Sequence, residues 1–414
     1  MKMQYPKSFK HLEKKLEEAA VPTQCVHCGT CRNWYQSKLW NPVCPSGEWK
    51  HFDPYYLSGK MQLAQALLNG RKSWSKEIAQ PFFECTLCGN CSEQCHVIET
   101  SGVRPIYELA LPLLEAVRAD AVAHGLNPEE HRKFGESIAK KFNPFNEEHG
   151  ARTAWLKDAV GETQLSKTPD FVYFVGCTAS YRQKGIAIAT AKAFKKLGLN
   201  FTVLEDEYCC GSPMLRTGQW EPVKELARHN IEEVKKTGAN TIVASCPGCY
   251  KAWVHDYSKD NYGSMLGVEH GFKVIHASQL LADKLKQGKL HFTKPFNATV
   301  TYHDPCHMGR NLGEHAVYEQ PREVLKAIPG IKLVEMERNR NIAWCCGSGG
   351  GAKSGFNDFA LWTGGERVKE AAQTGATVLA SACPFCQRNL DESSGAAGAK
   401  MEVLDIMELV ERAL

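Results

Sequence analysis

The sequence predicts an α+β multidomain protein: a mostly helical N-terminal unit crowded with cysteine, then two duplicated Rossmann-like α/β domains. Two observations carry this. From about residue 168, strand-like apolar runs alternate with amphipathic helical stretches, and the alternation later begins again. Ahead of it, residues 21–105 hold eight of the 18 cysteines in two groups.

Residues 1–20 place Phe9, Leu12 and Leu16 at helical spacing among lysines and glutamates. This reads as a helix packing on its own domain, with docking to a partner as the alternative. A further helix is expected from Gly59 to Asn69, between the cysteine groups. Residues 106–165 lack cysteine, follow a helical pattern broken at Asn143-Pro144, and read as a helical connector. In the first α/β unit, strands are expected at Phe171–Val175, Phe201–Leu204, Thr241–Ala244 and Val274-Ile275. The helix carrying Ile186, Ala189, Ala193, Phe194 and Leu197 ends at Gly198. Pro222 opens another that stops at Gly238, and a third starts at Gln279. Ala298–Tyr302, Ile331–Val334, Val378–Ala380 and Val403-Leu404 repeat the four strands. The halves share wording: Thr237-Gly238-Ala239 and Thr374-Gly375-Ala376 each begin nine residues before a cysteine, Cys246 and Cys383. The expected units are 1–105, 106–165, 166–290 and 291–414, the last two each a small parallel sheet covered by helices.

Composition narrows the function. The 414 residues are 43% hydrophobic and 23% charged, with a net charge of +4 that is dispersed rather than gathered on a basic face. That excludes a typical nucleic-acid binder. No apolar run is long enough to cross a bilayer, and Met1–Lys10 lacks the pattern of a secretory or twin-arginine signal. The expected location is the cytoplasm, with docking on a membrane-bound partner allowed. In a reducing compartment, so many cysteines mean metal ligation or redox chemistry rather than disulfides.

Cys25-x2-Cys28-x2-Cys31 is followed after twelve residues by Cys44-Pro45, and the second group is Cys85-x2-Cys88-x2-Cys91-x3-Cys95. Three thiolates at this spacing let one loop wrap a corner of a [4Fe–4S] cube. In two-cluster ferredoxins the fourth cysteine of each run serves the other cluster. On that logic one cube takes Cys25, Cys28, Cys31 and Cys95, the other Cys85, Cys88, Cys91 and Cys44, which makes this a two-cluster ferredoxin-type domain. Structural zinc is the alternative, but zinc motifs offer pairs of cysteines, not evenly spaced triplets. The long gap before Cys44, and His96 where the motif usually has proline, are departures that remove no ligand.

Each α/β unit carries five cysteines. The first has Cys177, Cys209-Cys210-Gly211 and Cys246-Pro247-Gly248-Cys249. The second has Cys306, Cys345-Cys346-Gly347 and Cys383-Pro384-Phe385-Cys386. Most fall just after a predicted strand, where such sheets present ligands. Five thiolates exceed what a cube needs, and neighbouring cysteines point different ways. That suggests an unusual cluster with a bridging or extra thiolate and an iron open to ligand exchange. A tetrahedral zinc using four of the five is the alternative.

The pattern closely resembles the CCG domains of heterodisulfide reductases, in particular their D-type subunits, which are similar to a fusion of the C-type and B-type subunits. All 18 cysteines fall in the four motifs of that architecture. Asn143-Pro144 with Arg152 and Trp155, His303-Asp304-Pro305-Cys306-His307, and Cys345-Cys346-Gly347-Ser348-Gly349-Gly350-Gly351 match as well. The resemblance implies a noncubane [4Fe–4S] cluster on Cys177, Cys209, Cys210, Cys246 and Cys249, another on Cys306, Cys345, Cys346, Cys383 and Cys386, and a disulfide substrate between them. Both motifs are intact, unlike some in the similar iron–sulfur subunits of glycolate and lactate oxidases.

His303 and His307 flank Cys306, either donating hydrogen bonds to cluster sulfur or satisfied within a tight turn. Gly347–Gly351 lacks the Gly-Lys-Ser/Thr of a phosphate loop and has no strand leading into it. Close approach of backbone to a cluster is the expected reason for its glycines, and no bound flavin or nicotinamide is expected. Trp34, Tyr35 and Trp40 are expected to shield a cube, with a partner surface as the alternative. The expected function is thiol/disulfide redox chemistry as an oxidoreductase subunit of a complex. A flavoprotein, ferredoxin or membrane cytochrome would deliver electrons to the cubes and onward to the CCG sites. The alternative is a relay with no substrate of its own, inside a flavoprotein or membrane-linked dehydrogenase complex.

Overall fold

The computed structural model describes residues 25–34, 36–95, 106–161, 165–396, 398–399 and 401–414. The amphipathic stretch 1–20, Tyr35 and His96 lie outside them. Among the described residues no helix is long and apolar enough to cross a membrane.

Each half of the α/β region builds a four-stranded parallel sheet. The first takes the order β2-β1-β3-β4, from β1 (Phe171–Phe174), β2 (Phe201–Thr202), β3 (Thr241–Ala244) and β4 (Lys273–His276). The second takes the order β6-β5-β7-β8, from β5 (Ala298–His303), β6 (Ile331–Val334), β7 (Val378–Ser381) and β8 (Glu402–Asp405). Parallel neighbours need crossovers, and β1 and β7 are buried at every position, as sheets covered on both faces require. β2 is shorter than the sequence suggests: its pairing with β1 ends at Thr202, although Val203 and Leu204 remain buried.

The registers superimpose the two halves. Phe174 pairs with Ala244 and His303 with Ser381, so Phe174 and His303 hold equivalent places, each three residues before the first cysteine of its set. Strand order reverses between β1 and β3, and between β5 and β7. The carboxyl ends of those pairs open the crevice where open α/β sheets bind ligands. Cys177, Cys246, Cys306 and Cys383 all lie just beyond them.

The two halves are not independent bodies. Helix 406–413 begins with a capping box, Asp405 accepting from the Met407 N–H and Glu408 from the Asp405 N–H. Its buried Ile406, Leu409 and Val410 then join the apolar core of the first half, around Phe171, Tyr173 and Phe194.

The cysteine-free segment is divided between its neighbours. Ala110, Leu113, Leu114 and Val117 of helix 106–123 pack with Met61, Leu67 and Phe82 of the cysteine-rich unit. Phe134, Ile138 and Trp155 instead belong to the core of the first sheet. Between them the chain turns at Asn143, whose side chain accepts from the N–H groups of Phe145 and Glu147 and donates to the carbonyls of Lys141 and Glu147.

Trp40 departs from expectation. The Arg338 guanidinium lies between the Trp40 and Trp344 rings, 4.9 and 4.5 Å from their centroids, and donates to the Pro42 carbonyl at 2.6 Å. Trp40 therefore straps the N-terminal unit to the second sheet. The glycine run departs too: a Cβ on Gly350 would stand 2.7 Å from the Cys85 carbonyl oxygen. Gly349 and Gly350 admit the backbone of the Cys85 loop, while Gly347 and Gly351 lie against the Ala360 carbonyl and the His131 ring.

Phe194 meets Phe171, Tyr173 and Phe201 edge-on with centroids 5.4–5.6 Å apart. Phe194→Ala is expected to destabilise the fold by about 3–5 kcal/mol, read as a lowered denaturation midpoint. His131 is buried among Phe83, Phe134 and Phe356 and donates to the Gly351 carbonyl at 2.9 Å. Burial lowers its pKa to about 4. Its neutral form therefore favours the fold above pH 6.5, and that contribution is lost as pH falls toward 4. From pH 7 to pH 5 the loss is about 2 kcal/mol. Denaturation of wild type and His131→Asn across that range measures it; the variant's slope should be shallower.

Candidate metal centres

No disulfide joins any of the 18 cysteines, all of which are among the described residues. They come together in four sets. Cys25, Cys28, Cys31 and Cys95 line one pocket with Val26, Thr30 and Leu57. Cys28 is its exposed member, and hydrogen bonds from the Thr30 hydroxyl and N–H hold its thiol below the usual range. Cys44 lies beside Cys85 and Cys88, and Cys91 faces Cys44, Cys88 and Cys85. The two triplets share one backbone solution, with His27 and Leu87 at φ 54° and 50° and Gly29 and Gly89 both at 77°. Those turns aim successive sulfurs inward.

The first five-cysteine set forms a chain of thiols within hydrogen-bonding reach. Cys177 meets Cys209, Cys209 meets Cys210, Cys210 meets Cys249, and Cys249 meets Cys246. The adjacent pair thus diverges, Cys209 toward Cys177 and Cys210 toward Cys249. Bonds from Cys209 and Cys249 lower Cys210 to about 6, while Cys249 is pushed up as donor to Cys210 and Cys246. The second set repeats the circuit through Cys306, Cys345, Cys346, Cys386 and Cys383. A Cβ on Gly176 would stand 2.6 Å from the Cys249 sulfur, so only glycine fits there.

The sets approach one another at two places. Cys88 and Cys345 are within hydrogen-bonding reach, so the inner four-cysteine set abuts the second five-cysteine set. Cys246 lies near enough to Cys383 to push its thiol up electrostatically, so the two five-cysteine sets are neighbours.

The supporting groups differ between the halves. The Arg152 guanidinium donates to the Cys177 sulfur at 3.3 Å and to Glu207 at 2.8 Å. Glu207 in turn accepts from the N–H groups of Val175 and Gly176. In the second half, Arg367 donates to His303 Nδ1 at 3.1 Å, which leaves Nε2 as the donor toward Cys346. His303 thus reaches a sulfur other than that of adjacent Cys306. His307 Nδ1 lies 3.5 Å from the Cys306 sulfur, and its buried Nε2 has no hydrogen-bond partner among the described residues.

Sequence reasoning missed Glu207, Arg367 and a buried network of Glu115, Arg216, Asp256 and Lys251 behind His307. The signal for part of it was Glu115, with Arg118 and Asp120 close by, in the middle of a largely apolar helix. Another group, Asp206, His229 and Glu233, also has metal-ligand chemistry. There both His149 and His229 direct Nε2 at Asp206, at 2.6 Å to its carboxylate and 2.7 Å to its carbonyl, a closed hydrogen-bonded arrangement.

The donor chemistry fits iron–sulfur clusters. Buried thiols such as Cys44, pushed up to about 12 by burial, cannot ionise unless a cation shares the space. Four gatherings of sulfur, with few oxygen or nitrogen donors among them, are what clusters require. The sequence matches agree: a 4Fe-4S dicluster domain over residues 22–98, and a cysteine-rich domain (CCG) over 171–252 and 300–391. Fold and sites together define an iron–sulfur oxidoreductase subunit in which a dicluster unit is joined to a duplicated cysteine-rich unit.

The chain belongs to the family of D-type heterodisulfide reductase subunits. It is 38% identical over 404 residues to the D-type subunit of the dihydromethanophenazine:CoB–CoM heterodisulfide reductase of Methanosarcina barkeri, spanning 94% of this chain and 93% of that one. It is 30% identical to the B-type subunit of fumarate reductase (CoM/CoB) of Methanothermobacter marburgensis, spanning 94% and 72%. A solved hypothetical protein from Helicobacter pylori shares the fold alone, with a TM-score of 0.52 and 9% identity over 87% of this chain and 68% of that one. Membership of this family implies partner subunits.

Arg152 orients Cys177 from outside the sulfur set. Arg152→Met is expected to weaken metal retention in the first CCG set about 10–100-fold, measured as iron surviving a chelator challenge against wild type.

Proposed function

We propose that this chain carries electrons from a partner subunit to a thiol/disulfide couple between the two CCG sets. The contact of Cys88 with Cys345 is the observation that carries the reading, because it joins the ferredoxin-type part to the CCG part through sulfur. On this reading Cys25, Cys28, Cys31 and Cys95 hold one cubane cluster, and Cys44, Cys85, Cys88 and Cys91 the other. Cys177, Cys209, Cys210, Cys246 and Cys249 hold one noncubane cluster, and Cys306, Cys345, Cys346, Cys383 and Cys386 the second. When bound, such clusters supply one-electron redox chemistry and iron that can accept a thiolate.

The chain's own residues do the rest. The exposed edge at Cys28, beside Val26 at 66% exposure, suits a docking flavoprotein, ferredoxin or membrane cytochrome. Burial of the inner sulfurs excludes water. Arg152 and His303 donate to Cys177 and Cys346 and hold the negative charge there. Reduction of a disulfide takes two electrons, delivered from the partner through the chain, and two protons from solvent, and releases two thiols; the reverse reaction balances equally. The 18 cysteines without a disulfide suit a reducing cytoplasm, including its membrane face where the partner is membrane-bound.

Anaerobic preparation with iron, sulfide and zinc counted together should give about four irons at each of the four sites and little zinc. A small disulfide should then elicit a new paramagnetic signal from the oxidised protein and be turned over with a reduced dye. Cys383→Ser should abolish both while leaving the two cubane signals intact. Full iron with no response to any disulfide would assign the chain to electron relay alone.

A further inference from the structure

Two arginines hold the Cys85–Cys88 loop beside the Cys88–Cys345 contact, and among the described residues neither forms an ion pair with a carboxylate. Arg118 is 0% exposed, and all its N–H groups go to backbone carbonyls. Nε donates to Phe82 at 2.8 Å, Nη1 to Arg216 at 2.6 Å and Gly350 at 2.7 Å, and Nη2 to Phe83 at 3.3 Å and Cys85 at 2.6 Å. Those carbonyls belong to the inner cysteine loop, the first α/β unit and the glycine run of the second. Arg310 is partly buried on the other side of the loop. Its Nε donates to the Cys88 carbonyl at 2.8 Å, and its Nη1 to Asn341 at 2.6 Å and Ala343 at 2.9 Å, just ahead of Cys345.

A buried cation normally pairs with an acid. Here the foremost anion-capable neighbours are ligand sulfurs: Cys85 ahead of Glu115 for Arg118, and Cys88, Cys306 and Cys345 ahead of Glu93 for Arg310. The carbonyl fork fixes each charge in place, and the sulfur sets are left to balance it. We infer that Arg118 and Arg310 are positioning residues that clamp the Cys85–Cys88 loop onto the second CCG set and favour the reduced state of the metal sites on both sides of that junction. The inference rests on the reading of those sets as iron–sulfur sites. Uptake of one electron from the partner adds one negative charge at the junction, with no bond made or broken. Two fixed positive charges close by stabilise that added charge. Arginine suits the role better than lysine, because a planar fork can hold several carbonyls while its charge stays permanent.

The test is a redox titration followed by electron paramagnetic resonance, on the full chain with its clusters, in wild type, Arg310→Met, Arg310→Lys and Arg118→Met. Iron is counted first. The expected result is wild-type iron in the Arg310 variants, a negative shift in the midpoint potential of the Cys44/Cys85/Cys88/Cys91 site in Arg310→Met, and recovery of most of that shift in Arg310→Lys. Arg118→Met should shift the same site in the same direction and weaken its magnetic coupling to the neighbouring site. If Arg118→Met does not accumulate as folded protein, the Arg310 pair decides alone, since that side chain lies at the edge of the junction. Full iron with unmoved potentials in Arg310→Met overturns the clamp and leaves the proposed function standing. Wild type without iron overturns both.

Discussion

Sulfur atoms that must ionise in a space closed to water repel one another, and the rest of this molecule is arranged around that repulsion. The described sets hold four or five thiols each, most of them buried. A bound metal supplies the principal positive charge. The chain adds its own at fixed points: Arg152 on Cys177, His303 on Cys346, and Arg118 and Arg310 beside the inner loop. Each is held by further bonds, Arg152 by Glu207 and the Phe142 carbonyl, His303 by Arg367. Such second partners fix the direction of the donor.

Backbone geometry brings the sulfurs within reach of one another. A parallel sheet with the order β2-β1-β3-β4 opens at the carboxyl ends of its two central strands, and β5 and β7 do the same in the second sheet. Cysteines placed just after those strands converge without any local contrivance. Cys209-Cys210 and Cys345-Cys346 approach from the loops that follow β2 and β6, so each set draws on three separate stretches of chain. Folding is the only route by which these ligands meet, which couples metal binding to the integrity of both sheets.

What was legible in the sequence was whatever repeats at short range. Strand runs such as Thr241–Ala244 and Ile331–Val334 match the structure residue for residue; the first is a buried central strand, while the second, at the sheet edge, leaves Lys332 exposed between apolar neighbours. The cysteine triplets announced their chemistry through spacing. Contacts between distant modules were not legible. Trp40 looked like a shield because it lies near cysteines in the chain, whereas its partners Arg338 and Gln373 are some three hundred residues away. The glycine run after Cys346 looked like room for a cluster, whereas Gly349 and Gly350 make room for the backbone at Cys85 and Thr86. Arg118 carried only a faint signal, one charge among several in an apolar helix, since its partners are carbonyls and leave no trace in side-chain patterning.

Duplication explains why the two CCG sets look alike, and the departures from symmetry give the arrangement a direction. Phe174 and His303 share one place in the register, yet one is a ring packed on Trp253 and the other donates to sulfur. At the next positions Val175-Gly176 faces Asp304-Pro305. In the first half an acid from another loop, Glu207, binds those backbone N–H groups. In the second, Asp304 itself takes the Arg322 guanidinium at 2.7 and 2.9 Å and the Arg340 N–H. Among the described residues, it is the second set that touches the inner four-cysteine set, through Cys345, and that Arg310 flanks. A symmetric pair of sites would receive charge equally from either side. The sulfur contact, Arg310 and the histidine donor belong to the second set, which therefore adjoins the ferredoxin-type unit, whereas Arg152 is the cation on the first.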